Sequence, residues 1–415
     1  MNLEKEFHEK IKSIKDNIKE YNLLAKKSIS LIASGNIVSP LVHELMNTDL
    51  LYRAAEGKRH DNHFPGLEAF YDIEETSEKE IACLFNSDFV DLRPISGTLA
   101  NIIVMTACSN IGDYILTPSI RSGSHVSQAG KFLVKLRNYR FINIKTLFNS
   151  YALDFDECSA LIKKYRPALM LLGGSVCIEW QDIKSIVELA HEYNTIVVYD
   201  ASHVAGLIAT KVFPNPMDYG VDIMTMTTCK TIPGPSHSWI FGKNKYKKII
   251  EKIIFPGFVS GGHLHEYIGA IVSLYEIKKY DPKYGNQIVE CSNILADELT
   301  KYGFQFLKTQ KGSYTETHQI VSYFHNDHTP KEIENKLAKI NILINVNLLP
   351  ENGSIGKYGV RWGTQEFVRI GGDNKAVQKL ANIIINYLSD KKPDLNFYRT
   401  EVYELKKEIQ TNPFY

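Results

Sequence analysis

The chain lacks a long apolar run, a cysteine pair at metal or redox spacing, and a surplus of either charge. Its six cysteines, Cys83, Cys108, Cys158, Cys177, Cys229 and Cys291, are scattered and contain no C-x-x-C. That excludes zinc ribbons and dithiol redox motifs, and it implies no metal site and free thiols in a reducing cytoplasm. Apolar stretches such as Ala168 to Leu172 and Thr195 to Tyr199 fall far short of the roughly 20 residues that span a bilayer. The start, Met1-Asn2-Leu3-Glu4-Lys5-Glu6, is charged and carries no secretory h-region. With 48 Lys+Arg against 47 Asp+Glu, the basic surplus of a dedicated nucleic-acid binder is missing. Neither a repeat nor a low-complexity tract is visible. The expectation is a cytoplasmic protein with neither nucleic acid nor membrane as partner.

What is present is ample core material: 44% hydrophobic residues, with 19 Phe and 23 Tyr among 415 residues. Residues 3–27 show helical spacing, and residues 30–66 are irregular, so 1–66 reads as an N-terminal helix and arm. From 67 to 280, strand-like runs (113–116, 168–172, 195–199, 223–227) alternate with helical patterns (75–84, 98–108). This rhythm predicts a large α/β domain with a mostly parallel mixed sheet. A helical stretch near 262–302 leads into 281–415, where strands at 304–307 and 319–324 and helices at 332–338 and 375–388 predict a smaller α+β domain. A polar helix over 396–415 closes the chain.

Separate motifs stand out. Arg93-Pro94-Ile95-Ser96-Gly97-Thr98 precedes a helix, whose N-terminus offers N–H groups, hydroxyls and a positive dipole end to an anion. Tyr199-Asp200-Ala201-Ser202-His203 ends a buried strand, where open α/β sheets bind ligands. Thr227-Thr228-Cys229-Lys230-Thr231 places a lysine after a strand, where a shielded amine can form a Schiff base. Tyr358-Gly359-Val360-Arg361-Trp362-Gly363 holds an arginine suited to a carboxylate. Taken singly, these read as an N-cap, a strand-end ion pair, a surface lysine and a structural salt bridge. Together, a phosphate cup, an acid ahead of a lysine and a distant arginine are what a pyridoxal 5′-phosphate (PLP) enzyme acting on amino acids requires.

In that order the motifs resemble the serine hydroxymethyltransferase family, PLP-dependent enzymes of the aspartate aminotransferase fold (type I). Residues 199–208, Tyr-Asp-Ala-Ser-His-Val-Ala-Gly-Leu-Ile, are similar to the family's strand and His-x-Ala-Gly-Leu segment, and Thr227 to Thr231 to its Schiff-base motif. Leu31 to Ser34 resembles the substrate-binding arm, Ala55-Glu56-Gly57 the catalytic-glutamate loop, and Phe255-Pro256-Gly257 with Gly261-Gly262 the segment that lends N–H groups to a neighbour's phosphate. The resemblance implies that Lys230 carries the Schiff base, Asp200 pairs with the pyridine nitrogen and His125 stacks on the ring. It implies that Ser96, Gly97 and Thr98 bind phosphate, with Gly261 and Gly262 serving the neighbour, and that Ser175 and His203 lie near the phenolic oxygen. Thr227 would lie by the Schiff base, Arg361 and Ser34 would hold the amino-acid carboxylate, and Glu56 would shuttle a proton. Active sites would be shared within a homodimer or tetramer.

The chain also departs from the family. Ala54 stands where a tyrosine is usual, Gly35 for a glutamate, and His63-Phe64-Pro65-Gly66 for Tyr-Tyr-Gly-Gly. Cys229 replaces a histidine, Ser236 an arginine, and His237-Ser238 a glycine pair; Trp362 is expected to add bulk beside Arg361. Asn345-x-Asn347-x-x-Pro350 is kept, Ile120 and Val126 stay apolar, and the loop to Arg361 is short. The expected reaction is making or breaking the Cα–Cβ bond of a β-hydroxy-α-amino acid through an external aldimine and a glycine quinonoid. The changes cluster about the second substrate and set tetrahydrofolate use against its alternatives: a folate-independent threonine aldolase or transaldolase, or racemisation, transamination or decarboxylation.

Overall fold

A computed structural model describes residues 2–129, 137–411 and 413–415. The central sheet has seven strands: β1 (Phe89–Asp91), β2 (Tyr114–Pro118), β3 (Arg140–Ile144), β4 (Leu169–Gly173), β5 (Ile196–Asp200), β6 (Ile223–Cys229) and β7 (Pro233–Gly242). Their spatial order is β1-β7-β6-β5-β4-β2-β3. Only β7 runs against the rest, pairing antiparallel with β6 and β1. Runs such as Ile-Val-Val-Tyr in β5 are apolar throughout because helices cover both faces of the sheet. Apolar clusters fill the space on the two sides, one around Trp239, Phe241 and Met224 and the other around Ile103, Val104 and Ile240.

The second sheet is antiparallel. It comprises β8 (Phe304–Phe306), β9 (Gln319–His325), β10 (Asn345–Leu348) and β11 (Tyr358–Gly363), in the order β8-β9-β11-β10. Arg361 lies mid-strand in β11, opposite Val321 and Asn345. The next side chain along a strand points to the other face. Trp362 is accordingly fully buried against Phe304, with its indole N–H on Ser322 Oγ, and adds no bulk beside Arg361 as the sequence had suggested.

The helices include α1 (Asn2–Lys27), α2 (Gly97–Cys108), α3 (Leu264–Lys279), α4 (Lys283–Thr300), α5 (Asn374–Ser389) and α6 (Leu395–Ile409). The expected helix at 75–84 is the second half of Glu68–Leu84. The single stretch expected near 262–302 is two helices, because Pro282 cannot donate inside a helix and instead caps α4. The last helix stops at Ile409, earlier than expected, and Asn412 lies outside the described residues. The arm is more ordered than its composition implies. Ile29–Ser30 pairs in parallel with Ile342–Leu343, and Pro40–Met46 forms a helix capped by Ser39.

Candidate active site

The carboxyl ends of β1, β4, β5 and β6 converge, and each delivers a motif singled out above. Ser96 follows β1 and caps α2 by accepting the Leu99 N–H at 3.2 Å. Gly97 is obligatory by close approach: a Cβ there would lie 2.6 Å from Thr227 Cγ2. Thr98 continues the first turn and is exposed. A helix N-terminus of this kind, lined by Ser96, Gly97 and Thr98, is an anion cup.

Asp200, 4% exposed at the end of β5, is held by a polar network. Its Oδ1 accepts the Ser202 N–H at 3.0 Å and its Oδ2 accepts Asn101 Nδ2 at 2.9 Å. Asn101 also donates to Ser127 Oγ at 3.0 Å and accepts from Thr225 Oγ1 at 2.8 Å. Ser127 Oγ is 2.8 Å from His125 Nδ1, so Asp200 and His125 are joined through two side chains. Burial lowers the His125 pKa against the pull of Asp200, which keeps this ring neutral.

Lys230 follows β6. Burial lowers its pKa, Arg361 adds to that, and Asp200 opposes it. Among the described residues its side-chain nitrogen makes no hydrogen bond or salt bridge, while its carbonyl is held by Asn36 Nδ2 at 2.6 Å. Thr227, on the same strand, has a buried hydroxyl with no partner. A lysine held away from carboxylate contact in a low-dielectric cup is suited to carbonyl attack.

Arg361 is 7% exposed, and burial lowers its pKa too. Its partners are neutral: Nη1 donates to the Ser175 carbonyl at 2.9 Å, Nη2 to Asn345 Oδ1 at 3.5 Å, and Nε is buried without any. The arm passes beside it. The Gly363 N–H donates to Leu31 O at 2.8 Å, and a Cβ on Gly363 would meet Ala33 Cα at 2.4 Å. Gln365 Nε2 binds the carbonyls of Ile32 and Gly35 at 2.8 and 2.6 Å. Ser34 therefore sits, exposed, in a turn fastened next to β11.

His203 is buried, and its pKa lies well below the ordinary histidine value through burial and the charges of Lys230 and Arg361. It stacks on His318 and receives a hydrogen bond from Gln319, which also binds the Ser175 carbonyl. Asn101, Ser127, His318 and Gln319 were not singled out from the sequence. An asparagine on the apolar face of α2 was the one readable signal among them.

Glu56, Gly261 and Gly262 lie elsewhere in this chain. Glu56 bridges Gly261 in backbone pairing, and the Gly262 N–H donates to the Ala55 carbonyl at 3.2 Å. Among the described residues, the Glu56 side chain contacts none of the groups around Lys230. The departures here are built in. His237 is fully buried between the Leu92 carbonyl and Glu266. Arg121 fastens the segment before His125 to the carbonyls of Leu349 and Pro350.

The donor set fits PLP: an anion cup, a carboxylate with open lone pairs, and, among the described residues, a half-buried lysine amine and a buried threonine hydroxyl that both lack a partner. No group of three or more His, Cys, Asp or Glu among the described residues is placed to hold a metal ion. No helix among them is long and apolar enough to cross a membrane.

Comparison with known proteins agrees with this geometry. The serine hydroxymethyltransferase family model matches residues 7–384. Curated serine hydroxymethyltransferases are similar along nearly their whole length. The protein of Picrophilus torridus is 35% identical over 98% of this chain and 94% of its own. That of Staphylothermus marinus is 34% identical over 92% and 88%, and that of Archaeoglobus fulgidus 33% over 94% and 90%. A polar cup at the strand ends, a half-buried lysine with a lowered pKa, a buried arginine with only neutral partners, and a match across the chain lead to one conclusion: this protein belongs to the serine hydroxymethyltransferase family.

Proposed function

We propose that the chain interconverts serine and glycine, making and breaking the Cα–Cβ bond of a β-hydroxy-α-amino acid with PLP as cofactor. The observation that carries this reading is Arg361, a buried guanidinium with only neutral partners beside a lysine equally without a salt bridge. Such a site is complete only when a substrate carboxylate enters.

Ser96, Gly97 and Thr98 would hold the cofactor phosphate. Asp200, braced by Asn101 and Ser202, would accept from the ring nitrogen and favour its protonated form. Lys230 would anchor the aldehyde, and neutral His125 would cover the ring and exclude water. Bound there, PLP supplies an electron sink for the carbanion left when the bond breaks. The Thr227 methyl packs beside Gly97, and its buried hydroxyl has no partner among the described residues and is free to bond a group at the anchor point. Glu56 would hold or take the substrate hydroxyl proton. Because its loop lies apart from Lys230 in its own chain, it would serve the site of a second copy, with Gly261 and Gly262, in a homodimer or tetramer.

A second reading concerns the acceptor. Both hydrogens of the Asn347 amide are committed, to Tyr151 Oη at 3.3 Å and Leu348 O at 2.7 Å, and Arg121 laces the adjoining loop. This favours a folate-independent aldol reaction of a threonine-type substrate. Titrating the yellow enzyme with glycine, with and without tetrahydrofolate, separates the two. Hydroxymethyl transfer requires that folate strengthen the long-wavelength absorption band formed with glycine. A band formed with L-threonine and indifferent to folate would refute transfer and leave the aldolase. A colourless protein that takes up no PLP would refute both.

A further inference from the structure

His203 lies where three segments meet, and the hydrogen-bond contacts of its ring fall on one nitrogen, Nδ1. Gln319, at the start of β9, is pinned by two backbone groups of opposite character. The Cys177 N–H donates to its Oε1 at 3.1 Å, and its Nε2 donates to the Ser175 carbonyl at 3.1 Å. A backbone N–H only donates and a carbonyl only accepts, so the amide has a single orientation. Nε2 then offers its second hydrogen to His203 Nδ1, 2.5 Å away.

His318 is oriented by the same logic. Its Nε2 lies 3.1 Å from the Ala33 carbonyl, so that nitrogen carries the proton, and it also lies 3.2 Å from His203 Nδ1. The two rings stack with centroids 5.3 Å apart and planes 13° from parallel. Burial keeps both neutral, with His318 pushed down to about 3. A neutral imidazole that accepts at Nδ1 carries its one proton on Nε2. Among the described residues that nitrogen has no hydrogen-bond partner, and Lys230 and Arg361 are the cations that act on the ring.

We propose that Gln319 is a positioning residue that fixes His203 as its Nε2–H tautomer, a donor offered to the phenolic oxygen of the pyridoxal ring. Through the shared Ser175 carbonyl, which Arg361 Nη1 also binds at 2.9 Å, the same amide couples this donor to the substrate-carboxylate arginine. The inference rests on the PLP reading above and deepens it. The other tautomer would turn a lone pair toward an anionic oxygen, and binding would suffer.

The test is a long-range proton–nitrogen NMR spectrum of the full chain, ligand-free and labelled with nitrogen-15 histidine. The His203 signal, assigned by loss in His203→Asn, is expected to show the Nε2–H pattern. Gln319→Glu keeps the shape but places an acceptor at Nδ1. It is expected to move the proton there and to weaken PLP uptake by the apoprotein about 10- to 100-fold. Gln319→Met, which removes the donor without adding an acceptor, is expected to let the Nδ1–H form appear beside the Nε2–H form, and a spectrum identical to that of the unmodified chain would overturn the role of Gln319. An Nδ1–H pattern in the unmodified chain overturns the proposal. So does a Gln319→Glu chain with an unchanged tautomer and unchanged PLP affinity. If Gln319→Glu fails to fold, the unmodified spectrum still decides. An unmodified chain that binds no PLP would overturn the assigned function and the ring-oxygen role together, while the spectrum still decides the tautomer.

Discussion

Replacing Arg361 with methionine should have opposite consequences for ligand binding and for the ligand-free fold. Methionine nearly matches the arginine stem in length and removes only the charge and its donors. The guanidinium is 7% exposed and meets a carbonyl and an amide oxygen, with no carboxylate in reach. Truncating one side of a buried charge pair typically costs about 2–5 kcal/mol. Glycine affinity should therefore fall about 30-fold to several-thousand-fold. The ligand-free chain keeps that cation buried without a counter-ion, so its removal relieves a desolvation cost while giving up a hydrogen bond of about 1 kcal/mol. Stability without ligand should change by less than about 1 kcal/mol, or rise. Glycine titration followed by absorption gives the first quantity and urea unfolding the second. Glycine affinity within about threefold of the unmodified enzyme, or a large loss of ligand-free stability, would refute the reasoning.

Lys230→Ala should abolish the yellow internal Schiff-base band while leaving the thermal unfolding transition of the apoprotein in place. Asn101→Ala strands Asp200, Ser127 and Thr225 at once and should cost about 1–3 kcal/mol per group left unsatisfied, read by urea unfolding. His318 is pushed down to about 3 from the ordinary 6.5 by burial, so the unfolded chain binds the extra proton between those values. Stability should then fall as pH drops from about 6.5 toward 3, by up to about 1.4 kcal/mol per pH unit from this group. His318→Gln should flatten that slope, and an unaltered slope would count against it. Mixing Lys230→Ala chains with Glu56→Gln chains, each inactive alone, should restore about a quarter of full activity if sites are shared between copies. No recovery after subunit exchange would argue that each chain uses its own glutamate.

The parts of the site that were readable in the sequence are those whose chemistry is rare in their surroundings. An acid ending an apolar run marked Asp200, because a strand buried on both faces carries no other charge. Lys230 stood out for the same reason. β7 was hidden because Pro233-Gly234-Pro235 reads as a turn, whereas the strand begins at that proline and shifts register before Ser238. Arg361 was found, but its setting was misjudged: Trp362 was expected to add bulk beside it, and because the residue lies mid-strand that side chain takes the opposite face. Gln319 and His318 leave no mark in a Thr-rich stretch, since their importance comes from backbone carbonyls of segments more than a hundred positions away. Glu56 was recognised by its motif, but a motif does not say in which copy of the chain its side chain acts.

The docking of the arm sets a constraint on synthesis. Ile29 and Leu31 are held by the backbone of Asn341 and Leu343, and Gly363 closes over Leu31. The arm leaves the ribosome among the first segments, yet its partners are made roughly three hundred residues later, tens of seconds on at ordinary elongation rates. Until then Ile29, Leu31 and Ala33, all fully buried in the finished protein, have no surface to cover them. The brace that Asn36 gives the Lys230 carbonyl comes from this same late-docking segment. A nascent or prematurely terminated chain ending before Ile342 would thus hold the central sheet and its lysine with a loose, sticky arm. Competence to bind substrate would arrive only once the strand that carries Arg361 and Gly363 has been made.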